Sequence, residues 1–587
     1  MWSHRKDYVA RRQSQTRRSS RRDKQSRLSR IRARLELLED RTLLAVNFLA
    51  GPLQVPAVNR IDVPVGNFNA FEEINVAVNE RFDPGNIAIT SHNDIVVSTQ
   101  MFVPGPNTNT GNFPDPAPAT NRGDNWADFD SQGRLFYTNL DGNDPPTAPT
   151  VAVAVVEVNR NTGAPIGAAV VVNQPPATES DDRQALAADS NPLSPFADNI
   201  YTVWTRFGLP VVGTEVFVSR SADHGVTWSA PVQISDHDGP DNLLGTADDE
   251  GFVQQAHIAV GPGGVVYAAY HAQPGFVAGG LAPDGVSGQI IVCRSTDGGL
   301  TFPTRSVAIA PGGADITFNR QEPAAAGTTI ARTRFLTQGS VQPYVLADPI
   351  RPGRVYVIAA DDPDNTHGAG DDADIVLATS NDYGVTWSAR TLVSGPGSFQ
   401  LFPTAAIDRF GNIAVAWYDN RRNLRNSGLD GIPGNADDDY LLDVYATYSV
   451  DGGQTWAPEF RVNDEAFDPD EPPVVQFGSP PGPTTRIGEY FGLDLFGGTA
   501  YVAFHGNDPA APPTAAQRVV FDAFPIAGSL VVDGDDRGSP YNDVFVLQAI
   551  AGNPDMIEIL VNGIRQYAGL REGVSGGITI NLSLIHI

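Results

Sequence analysis

The chain has 587 residues, a formal net charge of −28 and 41% hydrophobic residues. The apolar fraction excludes a wholly disordered chain, and no apolar run approaches the roughly 18 residues of a transmembrane helix. The single cysteine, Cys293, excludes an intramolecular disulfide framework and any site built from several thiolates.

The first 50 residues form a basic segment ahead of an acidic body. Residues 1–34 contain 13 Lys and Arg but only two acids, Asp7 and Asp23. A basic arm can bind nucleic acid, but an acidic body repels phosphate, and no aromatic platform or zinc knuckle follows. The alternative is a targeting segment, because a short apolar stretch at residues 43–50 follows the cations. We expect residues 1–50 to be a largely disordered or helical export segment, with no nucleic-acid partner.

A short motif in this segment supports export. The residues Leu38-Glu39-Asp40-Arg41 precede Thr42-Leu43-Leu44. This motif resembles the LEPR-XLL N-terminal signature of extracellular planctomycete-type bacterial proteins, with Asp40 at the position where Pro is usual. The resemblance implies an exported bacterial protein that is extracellular or displayed on the cell surface.

Four octets with the pattern Ser-x-Asp-x-Gly-x-Thr-Trp/Phe repeat further along the chain. In a tight turn, Asp and Ser oxygens can accept backbone N–H bonds and Gly supplies a positive φ, while Thr and the aromatic begin the next strand. We predict that these residues are structural. The octets consist of Ser221, Asp223, Gly225, Thr227, Trp228; Ser295, Asp297, Gly299, Thr301, Phe302; Ser380, Asp382, Gly384, Thr386, Trp387; and Ser449, Asp451, Gly453, Thr455, Trp456.

Each octet follows a run of β-type residues that ends on its serine, and two further strand patterns precede that run. The unit is a four-stranded antiparallel meander, which is the blade of a β-propeller. Partial units at 71–103, 126–173 and 486–524 extend the count to seven, or to six if the two ends share one blade. The sequence therefore predicts an all-β fold with a six- or seven-bladed propeller at 60–525.

The octets resemble the Asp-box (BNR) repeats of sialidase-superfamily β-propellers. Asp-boxes specify this architecture but not an activity, since a fold does not imply a function. The resemblance implies that the boxes are turns between third and fourth strands. The long loops then fall on the opposite face, where we expect ligands to bind.

Three of those loops are rich in carboxylates and share a Gly-x-x-Asp-Asp core. Clustered oxygen ligands on bent loops suit Ca²⁺. None of the three has the EF-hand spacing. The other interpretation is a set of solvated acidic loops on a protein that is acidic throughout its body. The candidate calcium ligands are Asp248, Asp249, Asp371, Asp372, Asp437 and Asp438.

A sialidase-like active site needs an arginine cluster for the substrate carboxylate, an aspartic acid, and a tyrosine activated by a glutamate. The family's Arg-Ile-Pro motif has only an interrupted counterpart, Arg60-Ile61-Asp62-Val63-Pro64. Candidate site residues are nevertheless present on the expected loop side. They are Arg183, Arg206, Arg421 and Arg486 for the carboxylate, Asp361 or Asp419 as the acid, and Glu489 with Tyr490.

Residues 526–587 differ in pattern from the preceding repeats. They are typical of short strands joined by turns of Asp, Gly and Asn. They resemble the approach to haemolysin-type calcium-binding repeats, although no complete nonapeptide is present. We expect a small β-rich segment that is cut short.

Three functions remain open. The preferred one is an exported propeller that binds glycan or another surface ligand on its long-loop face, with no membrane span. The others are an exo-α-sialidase-like glycoside hydrolase and a non-catalytic, calcium-binding structural surface protein. Converging arginines near the axis would favour the enzyme, and an axial region with aromatic rings would favour binding.

Overall fold

The structure is a computed structural model. It describes residues 63–64, 73–79, 86–91, 94–98, 108–112, 123–143, 150–209, 213–239, 241–243, 249–273, 288–310, 342–361, 373–395, 398–422, 441–464, 466–467, 475–477, 484–488, 490–496, 499–507, 517–526, 530–533, 545–550, 553–561, 564–570 and 578–581. The basic segment and most of the long loops lie outside these residues.

Seven four-stranded antiparallel sheets make up a seven-bladed β-propeller. The first strands are β1 (Val63–Pro64), which joins blade 7, and β2 (Asn75–Val78), β3 (Ile87–Ser91), β4 (Asp94–Ser98) and β5 (Thr108–Asn112) of blade 1. Blade 2 contains β6 (Trp126–Phe129), β7 (Leu135–Asn143), β8 (Thr150–Val158) and β9 (Val170–Val171). Blade 3 contains β10 (Ser180–Ala188), β11 (Ile200–Leu209), β12 (Gly213–Ser221) and β13 (Val232–Gln233).

The next three blades repeat this order of strands. Blade 4 contains β14 (Phe252–Gly261), β15 (Val265–Gln273), β16 (Gln289–Ser295) and β17 (Thr304–Ile309). Blade 5 contains β18 (Tyr344–Ala347), β19 (Val355–Asp361), β20 (Asp374–Ser380) and β21 (Thr391–Leu392). Blade 6 contains β22 (Gln400–Ile407), β23 (Ile413–Asp419), β24 (Asp443–Ser449) and β25 (Phe460–Arg461).

The last blade joins the two ends of the propeller. After the hairpin β26 (Val475–Phe477) and β27 (Thr484–Arg486) come β28 (Gly492–Phe496), β29 (Thr499–Asn507) and β30 (Gln517–Pro525). Strand β1 pairs with β30 and completes this sheet. Strands from the two ends of the propeller do share blade 7, but the propeller still has seven blades. The expectation that a shared blade would reduce the number of blades to six is therefore wrong. The fourth strand of blade 7 comes from a segment ahead of all the sequence repeats.

The seven inner strands, β2, β6, β10, β14, β18, β22 and β28, contact one another in a closed ring around the axis. We call the end with the first–second and third–fourth connections the octet face. The opposite end, with the second–third connections, is the loop face. All four octets lie between third and fourth strands, in blades 3 to 6.

The four octets share one hydrogen-bonded turn. In blade 5, Ser380 Oγ accepts the N–H of Gly384 at 2.9 Å and donates to Asp382. Asp382 accepts the Thr386 N–H at 2.8 Å and its hydroxyl at 2.6 Å. These bonds hold the pKa of Asp382 down at about 2, because they stabilise the charged carboxylate. The other three octets repeat these contacts.

In blades 1 to 3, side chains of the preceding blade satisfy part of the edge that the inner strand leaves unpaired on the axis. A sheet edge buried without such partners would be costly. The acceptors and their donors are Asp494 with Val78 N, Asn75 with Ala127 N, Glu73 with Asp124 N, Asp124 with Arg183 N, and Asp128 with Ala188 N, all between 2.6 and 2.9 Å. The axis is therefore lined with polar groups from successive blades.

Beyond the propeller, the described tail is also β-structure. Strands β32 (Phe545–Ile550), β33 (Asn553–Val561) and β34 (Ile564–Leu570) form an antiparallel meander. Strand β31 (Leu530–Asp533) pairs in parallel with β35 (Ile578–Asn581). In the described part of the chain, no helix is both long and apolar enough to cross a membrane.

Candidate functional site

Five side chains from five blades meet on the axis, and we call them the axial cluster. Trp126 lies 5.2 Å from the ring of Tyr490, 5.5 Å from His257 and 6.4 Å from Tyr344, centroid to centroid. The guanidinium of Arg183 lies 4.2 Å from the centroid of the Tyr490 ring. The structure thus brings together two predicted site residues, Arg183 and Tyr490, and surrounds them with aromatic rings.

Arg183 is held in this position by its neighbours. Its φ of 59° lies in the left-handed region and coincides with a break in the register of β10 with β11, which turns the side chain onto the axis. Its Nε donates to Gln255 Oε1 at 2.5 Å, and its backbone N–H donates to Asp124 at 2.9 Å. Arg183 as a whole residue is 1% exposed. Arg183 is therefore fixed beside the aromatic rings.

Two of the three titratable rings of the cluster, Tyr490 and His257, have pKa values shifted far toward the neutral form. Burial, reinforced by the charges of Glu73 and Asp124, raises the pKa of Tyr490 well above 10. Its hydroxyl donates to the carbonyl of Asn125 at 2.7 Å. Burial and the nearby Arg183 lower the pKa of His257 to about 3. Neither ring is prepared for proton transfer near pH 7.

Arg206 and Arg421, the other predicted arginines whose side chains are described, do not join this cluster. Arg206 forms a bidentate pair with Asp181 of its own blade, at 2.6 and 3.1 Å. Its guanidinium also lies 4.9 Å from the centroid of the Phe217 ring. Burial is the first cause of the raised pKa of Asp181, and the bonds from Arg206 oppose it.

Arg421 has the same kind of environment in blade 6. It binds Asp419 through Nε at 2.8 Å and Nη2 at 2.7 Å, and Nη1 contacts Glu459. Its guanidinium lies 4.1 Å from the Tyr445 ring, in the position that Phe217 occupies in blade 3. Asp419 also accepts the indole N–H of Trp417 at 3.0 Å. The predicted acid and the predicted arginine are thus partners of each other.

Asp361 is paired as well. It ends β19 at the register position that Asp419 has in β23 and Arg206 has in β11. Arg390 lies 2.7 Å from its carboxylate. In blade 6, Arg422 lies 3.2 Å from Asp443. The loop face therefore carries arginine–carboxylate pairs set within single blades; Arg390, Arg421 and Arg422 keep 22 to 36% of their side-chain surface exposed.

A further buried acid lies where blade 3 passes to blade 4. Glu250 accepts the Tyr270 hydroxyl at 2.9 Å and the Asp236 N–H at 2.7 Å, and Arg305 lies 3.0 Å away. Burial raises the pKa of Glu250 to about 7, although these partners oppose the shift. The same burial raises the pKa of Cys293, so this thiol is not activated as a nucleophile. This cluster anchors the base of a carboxylate-rich loop.

An axial cavity of about 210 Å³ lies on the octet-face side of the axial cluster. Inner strands of all seven blades line it. Trp126, His257 and Tyr344 bound one end, and alanines such as Ala259 and Ala347 keep the wall open toward the octet face. The polar lining includes Asn75, Asp128, Ser190, Thr404 and Asp494.

The sequence patterns did not indicate Trp126, His257 or Tyr344 as site residues. Trp126 and Tyr344 each begin an inner strand and His257 lies within β14, and none of them has a local motif around it. The available signal was positional, since the first strand of every blade lines the axis of a propeller. An alignment of the blades by their octets would have placed His257 and Tyr344 on that axis.

Several predicted residues lie outside the described part of the chain. They are Asp248, Asp371, Asp372, Asp437, Asp438, Glu489 and the side chain of Arg486. Asp249 is described and buried. Among the described residues, no group of three or more His, Cys, Asp or Glu is arranged to hold a metal ion. The calcium loops therefore stay a prediction.

No family model and no curated protein matches the chain. Solved structures similar to it include a protein of unknown function from Dyadobacter fermentans DSM 18053, with a TM-score of 0.41, 13% identity, and coverage of 76% of this chain and 100% of that one. They also include the Hadza microbial sialidase Hz136, with a TM-score of 0.38, 12% identity, and coverage of 75% and 73%. A third is an α-L-arabinanase of Penicillium chrysogenum complexed with arabinobiose, with a TM-score of 0.31, 18% identity, and coverage of 57% and 92%. These likenesses are too distant to assign an activity.

Proposed function

We propose that this protein is a binding propeller that recognises a neutral, hydroxyl-rich glycan on its loop face. The observation that carries this proposal is the pairing of the loop-face arginines with acids of their own blades. Arg421 with Asp419 and Arg390 with Asp361 each present guanidinium donors beside carboxylate acceptors. Such fixed, partly exposed pairs can donate to and accept from sugar hydroxyls without a large cost in side-chain entropy.

The same pairing supports a neutral ligand over an anionic one. An arginine that binds a substrate carboxylate must offer its charge, and the charges of Arg206 and Arg421 are already balanced by Asp181 and Asp419. The chain also carries 68 acids against 40 basic residues, so its long-range field repels anions.

The state of Tyr490 supports binding over hydrolysis. A tyrosine nucleophile needs a base that takes its proton and a pKa low enough to release it. The Tyr490 hydroxyl instead donates to a backbone carbonyl, and burial raises its pKa. Its ring, packed against Trp126 and Arg183, helps to rigidify the base of the loop face.

An array of neutral and sialylated glycans, probed with the full chain, tests this proposal. We expect binding to neutral glycans, and Arg421→Ala should weaken it by about tenfold or more because a fixed donor is removed. Arg294→Ala is the matched control, because Arg294 donates to the Tyr383 carbonyl on the octet face. Its affinity should equal that of the unaltered protein.

A fluorogenic sialoside assay separates binding from catalysis. We expect no turnover. Turnover that disappears in Arg206→Gln or Arg421→Gln, with melting temperature retained, would establish the hydrolase alternative and overturn the proposal. Binding that is confined to sialylated glycans would overturn the choice of a neutral ligand.

A further inference from the structure

The octet face carries most of the large hydrophobic residues that the described chain exposes. Ten such residues are exposed in the described part of the chain, and six of them lie in octet-face turns of blades 3 to 5. These six, which we call the apolar patch, are Leu193, Val226, Leu300, Ile350, Tyr383 and Val385, each 43 to 78% exposed. An isolated exposed apolar residue is ordinary, but a concentration of them on one face marks a site of interaction.

Packing between blades 3 and 4 brings their parts of the patch together. Phe196 follows Leu193 in the same turn of blade 3 and packs against Gly298 of the blade 4 octet, where an added Cβ would lie 2.6 Å from the phenyl ring. Leu300 comes two residues after Gly298. The exposed leucines of the two blades therefore lie on turns that contact each other.

The same kind of contact continues the patch in blade 5. The Tyr383 ring covers Gly353, where an added Cβ would lie 2.9 Å from it, and Ile350 precedes Gly353 in the same turn. Arg294 of blade 4 donates to the Tyr383 carbonyl and so joins this turn to the neighbouring blade. The patch is thus one surface that crosses three blades.

The charged groups beside the patch balance one another, unlike those of the chain as a whole. The octets of blades 3 to 5 and the arginines that bind octet carbonyls contribute three carboxylates and three guanidiniums: Asp223, Asp297, Asp382, Arg220, Arg294 and Arg354. The whole chain has 68 acids against 40 basic residues. In the described octet-face turns of these three blades, no charged residue is more than half-exposed.

This balance of charge favours a second copy of the chain as the partner. Two molecules with a net charge of −28 repel each other in most orientations. A contact between octet faces avoids much of this repulsion, because it brings together surfaces with equal numbers of both signs. In a two-fold arrangement the same patch also meets itself, so apolar side chains face apolar side chains and carboxylates can face arginines.

We propose that two copies of this chain pair through the apolar patches of their octet faces, about a two-fold axis. The octet and loop faces are opposite ends of the propeller, so this dimer presents both loop faces outward and leaves them free. The dimer is then bivalent for glycan. That consequence rests on the proposed function, whereas the pairing itself does not involve the loop face.

Sedimentation velocity of the full chain, without glycan, tests the pairing over concentrations from about 1 to about 100 μM. We expect the sedimentation coefficient to rise with concentration from the monomer to the dimer. Leu300→Asp should weaken the pairing by about tenfold or more, because the two-fold contact buries the added charge twice. Leu193→Asp, in the adjoining turn, should have the same effect.

Leu243→Asp is the matched control. Leu243 is 61% exposed, as Leu300 is 50% exposed, but it lies in the loop-face connection between blades 3 and 4. This variant should pair like the unaltered protein. A monomer at every concentration, pairing that both octet-face variants retain in full, or equal weakening by Leu243→Asp would each overturn the proposal. The concentration series needs no variant, so it does not depend on how the variants fold.

Discussion

Arg220 of blade 3 donates from Nη1 to the backbone carbonyl of Gly298 in the octet of blade 4, at 2.9 Å. The same contact joins the next blades. Arg294 of blade 4 binds the Tyr383 carbonyl of the blade 5 octet, and Arg354 of blade 5 binds Gly452 in blade 6, each at 2.9 Å. All three acceptors are the fourth residue of an octet. The octets therefore link neighbouring blades in addition to closing their own turns.

Loss of one such link should lower the stability of the propeller. We expect Arg220→Ala to reduce the free energy of unfolding by about 1–2 kcal/mol, because a charged donor to a buried carbonyl is removed. Chemical denaturation measures this change. Arg461→Ala is the control, since Arg461 donates to Asp464 O within its own blade. A loss that is equal in both variants would show that the link between blades contributes nothing specific.

The contribution of an octet threonine to stability should come from its hydroxyl group and not from its methyl group. In Thr386→Val the donor to Asp382 is lost while the shape is kept. We expect a loss of about 1 kcal/mol in thermal or denaturant unfolding, because Asp382 loses one of its bonds. Thr386→Ser retains the hydroxyl and should lose less. The idea fails if valine is tolerated as well as serine.

The contact between the last and first blades leaves no room for a side chain. A Cβ added to Gly492 would lie 2.4 Å from the backbone nitrogen of Val76 and 2.6 Å from the carbonyl carbon of Asn75. Backbone cannot yield as a side chain can, so Gly492→Ala should cost about 3 kcal/mol or more. Gly395→Ala is the control, because its Cβ would meet only the carboxylate of Glu459, at 3.2 Å. Similar melting temperatures for the two variants would contradict this prediction.

Glu250 should make stability depend on pH. Its pKa is raised from 4.5 to about 7 in the folded protein, so the folded state holds its proton more tightly than the unfolded chain. Stability from this group is present below the unfolded value and is lost as pH rises through about 7. The difference is on the order of 3 kcal/mol. Glu250→Gln should flatten the unfolding free energy between pH 4.5 and 7.

The control for this prediction is a distant acid whose pKa is not raised in the folded protein. The pKa of Asp297 is lowered to about 2, so Asp297→Asn should leave the slope between pH 4.5 and 7 unchanged. A slope that survives in Glu250→Gln would assign the effect to another group.

The blade pattern could be predicted because the octet bonds are local. The bonds that close its turn fall within eight residues, and the run of β-type residues predicted to end on the octet serine is the strand Asp374–Ser380 in blade 5. The number of blades was less certain, because blades 1, 2 and 7 lack the octet. The closing strand Val63–Pro64 lies ahead of the repeats and carries no repeat pattern. Its partner, β30, is distant in the chain, so no local pattern could indicate the pairing.

The candidate site was harder to predict, because its contacts join separate blades. The sequence identified Arg183 and Tyr490 but not the aromatic rings around them, which come from different inner strands. It also identified Arg206 and Arg421 without their partners. Asp181 lies 25 residues from Arg206, and only the register of β10 with β11 places the two side chains together. The roles of these residues in catalysis stay predictions.

The register partner of Val63 is Phe521, which has a consequence for synthesis on the ribosome. The outermost strand of the final blade is translated first and has nothing to pair with until nearly the whole propeller has been made. Until β1 pairs, β30 of a newly made chain has an unsatisfied edge, to which the leading strand of a second copy can pair. Exchange of this strand between copies is thus a form of misassembly that the closure of the ring allows.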